Sequence, residues 1–121
     1  MNLNSILIGS EDPQRLADYY TKLFGEPGWD DGGYKGWQLG NGGVTVGPHD
    51  QVKGPNTQPG RLIWNIESRD VQADFDRFKA AGATVVREPY TMGEEPAATI
   101  ATFSDPDGNY FQLVSPFLPG A

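Results

Sequence analysis

Few side chains in this 121-residue chain have the chemistry of a catalyst. It contains one histidine, His49, and no cysteine, so disulfides and thiolate metal sites are excluded and a Ser-His-Asp relay has a single candidate base. The neighbouring carboxylates Asp30-Asp31 and Glu94-Glu95 are typical of a solvated surface. Gln112 is more informative, because a polar amide in the middle of a strand needs either a buried partner or a ligand.

The strand that carries Gln112 follows a dense turn signal, residues 105–109 (Asp-Pro-Asp-Gly-Asn). Proline presets one φ, glycine allows a positive φ, and Asp and Asn side chains bond the local backbone. Apolar β-formers flank the turn at residues 99–103 and 110–114, which predicts a β-hairpin. In its second strand, two residues share one face (Phe111 and Leu113) and three share the other (Tyr110, Gln112 and Val114).

Two helices are predicted in the rest of the chain. The first begins after Asp12-Pro13 and closes at Gly25, and the second begins after Asp70 and stops at Gly82. Short strands fit residues 3–9, 28–30, 34–39, 43–47, 61–67 and 84–86. Residues 48–60 lack a periodic apolar pattern and are interpreted as a linker, and residues 90–96 as a loop.

An internal repeat relates the two halves. Residues 8–14 and 66–72 share the pattern Ile-x-Ser-x-Asp-x-Gln at an offset of 58 residues, and the same offset pairs Asp18 with Asp76 and Tyr20 with Phe78. Each half also has the element order βαβββ, so two copies of one supersecondary unit is the economical explanation. We expect a single domain over residues 1–121, with module one at 1–50, the linker at 48–60 and module two at 61–118.

The composition excludes some classes of function. A net charge of −7 argues against nucleic-acid binding, because no basic stripe exists to meet phosphates. No secretory signal and no apolar run of membrane-spanning length is visible, so a protein of the cytoplasm without membrane contact is expected. The acidity is common among soluble proteins, but it also fits a site that attracts cationic ligands.

The repeat, the helix ending at residues 78–83 and the C-terminal residues 102–116 together resemble the vicinal oxygen chelate superfamily, the glyoxalase / bleomycin resistance / dioxygenase group. The resemblance covers nearly the whole chain. It implies an α+β fold in which two βαβββ modules form an open, U-shaped, eight-stranded mixed sheet around a concave cavity, with helices on the outer face. It also implies a homodimer.

Enzymes of this superfamily bind a divalent metal through His, Glu or Gln side chains, mainly on the first, fourth, fifth and eighth strands. The matching positions in this chain are Ser5, Val44 or Val46, Arg61 or Ile63, and Gln112. Only Gln112 could ligate a metal, and a neutral amide does not hold one alone. His49 lies in the linker, where a solvated or capping role is more common. We therefore predict no metal and no cofactor.

The cavity that the resemblance implies is better suited to binding. The predicted ligand-binding residues are Ser5, Leu7, Trp37, His49, Arg61, Ile63, Asn65, Tyr90, Met92, Tyr110 and Gln112. They combine apolar surface with neutral hydrogen-bonding groups, and Tyr90 and Met92 lie where such proteins often have a lid. For Trp37 and Tyr110, packing in the core is an equally good interpretation.

Two classes of function follow from the resemblance. One is a metal-free protein that sequesters a small aromatic or antibiotic-like molecule. The other is a lyase, isomerase or dioxygenase in which Gln112 and His49 join a displaced metal site. A third possibility is that the ligand is a common metabolite or a flavin.

Overall fold

The computed structural model describes residues 1–94 and 98–116, in two compact units, Met1–Pro55 (unit one) and Asn56–Ala121 (unit two). Unit one contains β1 (Ser5–Ser10), α1 (Pro13–Phe24), β2 (Trp29–Asp31), β3 (Tyr34–Leu39) and β4 (Gly42–Pro48). Unit two contains a 3₁₀ turn (Pro59–Arg61), β5 (Trp64–Glu67), α2 (Val71–Ala80), β6 (Thr84–Met92), β7 (Ala98–Ser104) and β8 (Tyr110–Val114).

The two units have the same topology. The strand order is β1-β4-β3-β2 in one sheet and β5-β8-β7-β6 in the other. In each sheet the first strand pairs parallel to the last strand of its unit, and the remaining neighbours are antiparallel. The α-helix supplies the crossover connection that such a parallel pair requires. The predicted α+β class with two βαβββ units is therefore confirmed.

Hydrogen bonds around the start of α1 explain the repeated sequence pattern in unit one. The Ser10 hydroxyl accepts the backbone N–H of Asp12 at 3.0 Å, and the Asp12 carboxylate accepts the N–H of Arg15 at 3.2 Å. One turn later, the Gln14 amide donates to the Asp18 carboxylate at 2.7 Å. The bonds made by Ser10 and Asp12 satisfy backbone donors that the start of a helix leaves without an intrahelical partner, and the Gln14–Asp18 pair is a side-chain contact along the helix surface.

Unit two repeats the same bonds at the start of α2. The Ser68 hydroxyl accepts the N–H of Asp70 at 3.2 Å, and the Asp70 carboxylate accepts the N–H of Ala73 at 3.0 Å. The Gln72 amide donates to Asp76 at 3.0 Å. Four repeated positions thus have a defined local role: the serine and the first aspartate cap the helix, and the glutamine and the second aspartate pair along its surface.

One face of each sheet packs against the helix of its own unit. In unit one the buried residues include Leu16, Tyr20 and Leu23 of α1, and Trp37, Val44 and Val46 of the sheet. In unit two they include Phe75 and Phe78 of α2, and Phe103, Phe111 and Leu113 of the sheet. The rings of Phe75 and Phe78 lie 5.5 and 5.6 Å from that of Phe103. These contacts supply the apolar burial that stabilises each unit.

Two predicted element boundaries are wrong. β6 continues through Tyr90 to Met92, where a loop is predicted; the last two residues of that predicted loop, 95 and 96, lie outside the described residues. Pro89 suggests a strand end, but β6 is an edge strand, where a missing N–H is tolerated. The fifth strand starts at Trp64 rather than Arg61, because the 3₁₀ turn takes up Arg61.

Candidate functional site

The face of each sheet that points away from its helix is called here the open face. On the sheet of unit one, paired neighbours place Ser5 beside Gly43, Leu7 beside Thr45, and Thr45 beside Gly36. Since paired residues project to the same side of a sheet, these form one surface, opposite the buried face that meets α1. The open face of unit one consists of Ser5, Leu7, Gly9, Gly36, Gly43, Thr45 and Gly47, together with the side chains that cover its glycines.

An indole ring covers two of these glycines. A Cβ atom at Gly36 would overlap the ring of Trp29, and one at Gly43 would lie 3.3 Å from Trp29 Cη2. The ring therefore lies against the backbone of β3 and β4 in space that only glycine leaves free. Trp29 keeps 39% of its surface exposed, so one ring face contacts the sheet while the ring remains accessible.

A second aromatic ring lies over Gly47 of β4. A Cβ atom at Gly47 would overlap the ring of Tyr34, whose hydroxyl donates to the Pro48 carbonyl at 3.0 Å. Tyr34 is 37% exposed. Neither Trp29 nor Tyr34 is among the residues that the sequence predicts for the site. A sequence signal for the two rings does exist, because Gly36, Gly43 and Gly47 lie inside predicted strands. A glycine in a strand often marks the close approach of another group.

Trp37, by contrast, belongs to the core of unit one. It is 2% exposed, its ring centroid lies 6.2 Å from those of Tyr20 and Phe24, and its indole N–H donates to the Gly25 carbonyl at 2.8 Å. Of the two interpretations that the sequence leaves open for Trp37, the structure selects packing against α1. Leu7, which is 56% exposed, and the exposed Ser5 do lie on the open face.

His49 is exposed beyond the end of β4, beside a cavity of about 490 Å³ in unit one. The cavity is lined by Ser10, Glu11, Tyr34, Pro48, His49, Asp50, Val52 and Lys53. His49 Nδ1 accepts the N–H of Gln51 at 3.2 Å. A neutral imidazole in that arrangement carries its proton on Nε2, which then acts as a donor instead of offering a lone pair to a metal.

A row of polar side chains crosses the open face of unit two. The ladder pairs Asn65 with Gln112, Gln112 with Thr102, and Thr102 with Arg87, which places one of these four residues on each strand of the sheet. The Gln112 amide donates to the Thr102 hydroxyl at 3.0 Å. The mid-strand glutamine therefore has a cross-strand partner. We call these four residues the polar row.

The remaining predicted residues of unit two flank this row. Tyr110 is half-buried and pairs with Ser104, and Tyr90 is half-buried and pairs with Ile100. Met92 is 49% exposed at the end of β6. Two others, Arg61 and Ile63, lie in and just after the 3₁₀ turn, before β5 begins.

Arg87 is a residue that the sequence does not predict for this surface. Its guanidinium carbon lies 3.6 Å from the ring centroid of Tyr90. Residues three apart in a regular strand project to opposite faces, but the register of β6 against β7 shifts between Arg87 and Tyr90. That irregularity brings both side chains to the open face, and Pro89, which lies between them, is a sequence signal compatible with a bulge but does not specify which face each side chain takes.

The donor set does not fit the divalent metal that the superfamily resemblance implies. Among the residues that the structure describes, no three His, Asp or Glu side chains are grouped to hold a metal ion. At the matched positions, Val44 and Val46 are buried, Arg61 is in the 3₁₀ turn, and Gln112 donates to Thr102. A divalent site of this type normally needs three or four His or carboxylate ligands, and the matched positions do not supply them.

Two βαβββ units, each with one helix on one face of a four-stranded mixed sheet, define a paired-module α+β protein. The chain belongs to the glyoxalase-like domain family, whose family model matches residues 5–114. The described part of the chain contains no helix long and apolar enough to cross a membrane.

Solved structures share this fold at low sequence identity. A glyoxalase/bleomycin resistance protein/dioxygenase family enzyme from Burkholderia phytofirmans matches with a TM-score of 0.73 and 18% identity, covering 95% of this chain and 98% of that one. A superfamily member from Sphaerobacter thermophilus also has a TM-score of 0.73, with 22% identity, and the match covers 96% and 98% of the two chains. At these identities the likeness shows the fold alone.

A sequence relative is the uncharacterized protein YurT of Bacillus subtilis, which is 44% identical over 45 residues. The match covers 37% of this chain and 33% of the relative. This chain therefore matches about a third of that relative's length.

Proposed function

We propose that this protein binds a small molecule with a flat aromatic group, without the help of a metal, and thereby sequesters it. The observation that carries the proposal is the pair of rings, Trp29 and Tyr34, lying over Gly36 and Gly47 on the open face of unit one. Both rings are partly exposed. A planar ligand would stack on rings that already have their positions, so little side-chain entropy would be lost on binding.

The neutral polar groups support binding rather than chemistry. Ser5 and Thr45 lie on the open face of unit one, beside the exposed Leu7. Ligand sites commonly combine apolar and aromatic surface with a few hydrogen-bonding groups that fix orientation. Structures of similar fold include one named as a glyoxalase/bleomycin resistance protein from Albidiferax ferrireducens, and an antibiotic-like ligand is the corresponding proposal for this chain.

The test is a calorimetric titration with the flat probe 2-naphthol, with bleomycin as an antibiotic probe, in the presence and absence of EDTA. We expect 2-naphthol to bind with an affinity that EDTA leaves unchanged, and Trp29→Leu to weaken binding by about tenfold, the loss of one aromatic stack. Trp29→Phe, which keeps an aromatic ring, should weaken the binding of 2-naphthol less. Leu62→Ala, an exposed apolar position in unit two, is the matched control and should bind like the wild type.

Two results would overturn the proposal. One is the absence of any binding that depends on Trp29. The other is stoichiometric Zn²⁺, Ni²⁺ or Fe²⁺ retained after dialysis together with probe binding that EDTA abolishes, which would favour the metal-dependent enzyme.

A further inference from the structure

We infer that the open face of unit two selects ligands that carry a carboxylate or a similar planar oxyanion, and that Arg87 is the residue that binds this group. The inference goes beyond the proposed function, because it adds a second site, on unit two, and names the chemical class of the ligand that this site takes. It departs from the expectation that an acidic protein prefers a cation. Three features of Arg87 support the inference: it has no ion pair with a carboxylate of the described residues, Tyr90 orients it, and it belongs to the polar row.

The charge of Arg87 is not neutralised within the described residues. Some of the other cationic side chains form ion pairs, including Lys35 with Asp30 at 3.8 Å and Arg77 with Asp74 at 3.6 Å. Across residues 1–94 and 98–116, Arg87 forms no such pair with a carboxylate. Its guanidinium therefore retains its capacity for a charge-assisted, bidentate hydrogen bond with an oxyanion.

Tyr90 orients this guanidinium before any ligand arrives. The 3.6 Å separation between the guanidinium carbon and the ring centroid is a stacked cation–π contact. Stacking uses the face of the planar group and leaves the N–H donors at its edge free to point at an acceptor. Because the side chain is already held, less of its rotamer entropy is lost when an anion binds.

The polar row supplies further hydrogen-bonding groups along the sheet. Thr102 is the ladder partner of Arg87, and Gln112 is one strand farther. With strands about 4.8 Å apart, these residues lie about 5 and 10 Å from Arg87 along the row. Thr102 is buried and accepts from Gln112, so the half-buried Gln112 amide is the group of the row that remains accessible to a ligand held by Arg87.

The net charge of −7 makes the inference more specific. The field of the whole chain repels anions at long range, so a preference for an anionic ligand must come from a local contact. Salt screens the long-range repulsion over about 8 Å at physiological ionic strength, and it weakens a direct, partly desolvated contact much less.

The experiment compares two probes of equal shape, 2-naphthoate and its neutral analogue 2-naphthamide. We expect the wild-type protein to bind the carboxylate at least about tenfold more tightly, as a hydrogen bond to a charged group implies. In ¹H–¹⁵N spectra, the side-chain Nε–H signal of Arg87 should shift with naphthoate and not with naphthamide. Arg87→Gln removes the charged donor and should reduce the preference for naphthoate to below about twofold.

Arg77→Gln is the matched control. Arg77 also lies over an aromatic ring, that of Phe78 at 4.8 Å, but it projects from α2 and not from the sheet. Its replacement removes the same charge from the protein. The preference for naphthoate over naphthamide, about tenfold from one hydrogen bond to a charged group, should remain. Arg87→Lys, which keeps the charge but not the planar group, should retain an intermediate preference.

The outcomes separate the inference from the proposed function, because the two concern different units. If both probes bind with equal affinity to the wild type, or if Arg87→Gln keeps the preference, the inference is overturned. If naphthoate does not bind, the inference also fails, while the 2-naphthol titration of the wild type and of Trp29→Leu decides the proposed function separately. A preference that Arg77→Gln abolishes as strongly as Arg87→Gln would show a general charge effect and would also overturn the inference.

Discussion

The indole ring of Trp29 occupies the space above Gly36 in which any other residue would place its Cβ atom. This relationship gives the aromatic ring a fixed position on the open face of unit one, and it makes Gly36 as important for the proposed site as the ring itself. Gly36→Ala would force the ring away from β3, because the alternative is an overlap that real Cβ atoms do not show.

We therefore expect Gly36→Ala to weaken 2-naphthol binding about as much as Trp29→Leu does, by about tenfold, and to change the tryptophan fluorescence. The control is Gly42→Ala, in the neighbouring strand β4 of unit one, where an added Cβ meets nothing within 4 Å. A Gly36→Ala protein that binds like the wild type would show that Trp29 does not hold the ligand.

The hydrogen bond between Gln112 and Thr102 predicts a measurable coupling. In a double-mutant cycle of Gln112→Leu and Thr102→Val, the two residues should couple by about 0.5–1.5 kcal/mol in the free energy of unfolding, the net value of one such bond. Urea unfolding of the four proteins measures this. A coupling near zero would mean that the bond is not maintained in solution, and that Gln112 has no structural partner in Thr102.

The Asp105 carboxylate organises the turn before β8. It is buried, and it accepts the backbone N–H groups of Asp107 and Asn109 at 2.9 and 3.0 Å, together with the Asn109 side-chain amide. Asp105→Ala leaves these donors without their acceptor and should lower the free energy of unfolding by about 2–4 kcal/mol. Asp31→Ala, at an exposed position of β2, should change it by less than about 0.5 kcal/mol.

The repeated helix caps predict two equal effects. Asp12→Ala and Asp70→Ala each remove one side-chain acceptor from the first turn of a helix. Each should lower the free energy of unfolding by about 1 kcal/mol. Asp12→Asn and Asp70→Asn keep the acceptor and should lower the free energy of unfolding much less. Thermal or urea unfolding checks this, and a clearly larger loss at only one of the two positions would contradict the equivalence of the caps.

Sequence patterns predict some of these features well because the interactions are local. The caps at Asp12 and Asp70 bond donors three residues away, and the Asp105 turn closes within four residues. Such contacts depend on the types and spacing of neighbouring residues, which the sequence displays directly. The same holds for the internal repeat and for the alternation that places Phe111 and Leu113 in the core.

The composition of the open faces is less accessible to prediction. Trp37 and Trp29 both lie in or beside predicted strands of unit one, yet one packs against α1 and the other covers Gly36. Which side of a sheet a residue occupies depends on register, and a shift of one residue reverses it. Arg87 joins Tyr90 only because β6 carries register shifts, and Pro89 marks a possible irregularity there without fixing its direction.

The sequence by itself therefore determined the two βαβββ units, their helix caps and the closing hairpin, because each rests on residue type and short spacing. Only the tertiary structure decided that Trp29 and Tyr34 cover glycines on one open face, that Gln112 bonds Thr102, and that Arg87 stacks on Tyr90. These contacts join residues of different strands or depend on irregular pairing, so their geometry exists only once the strands have paired.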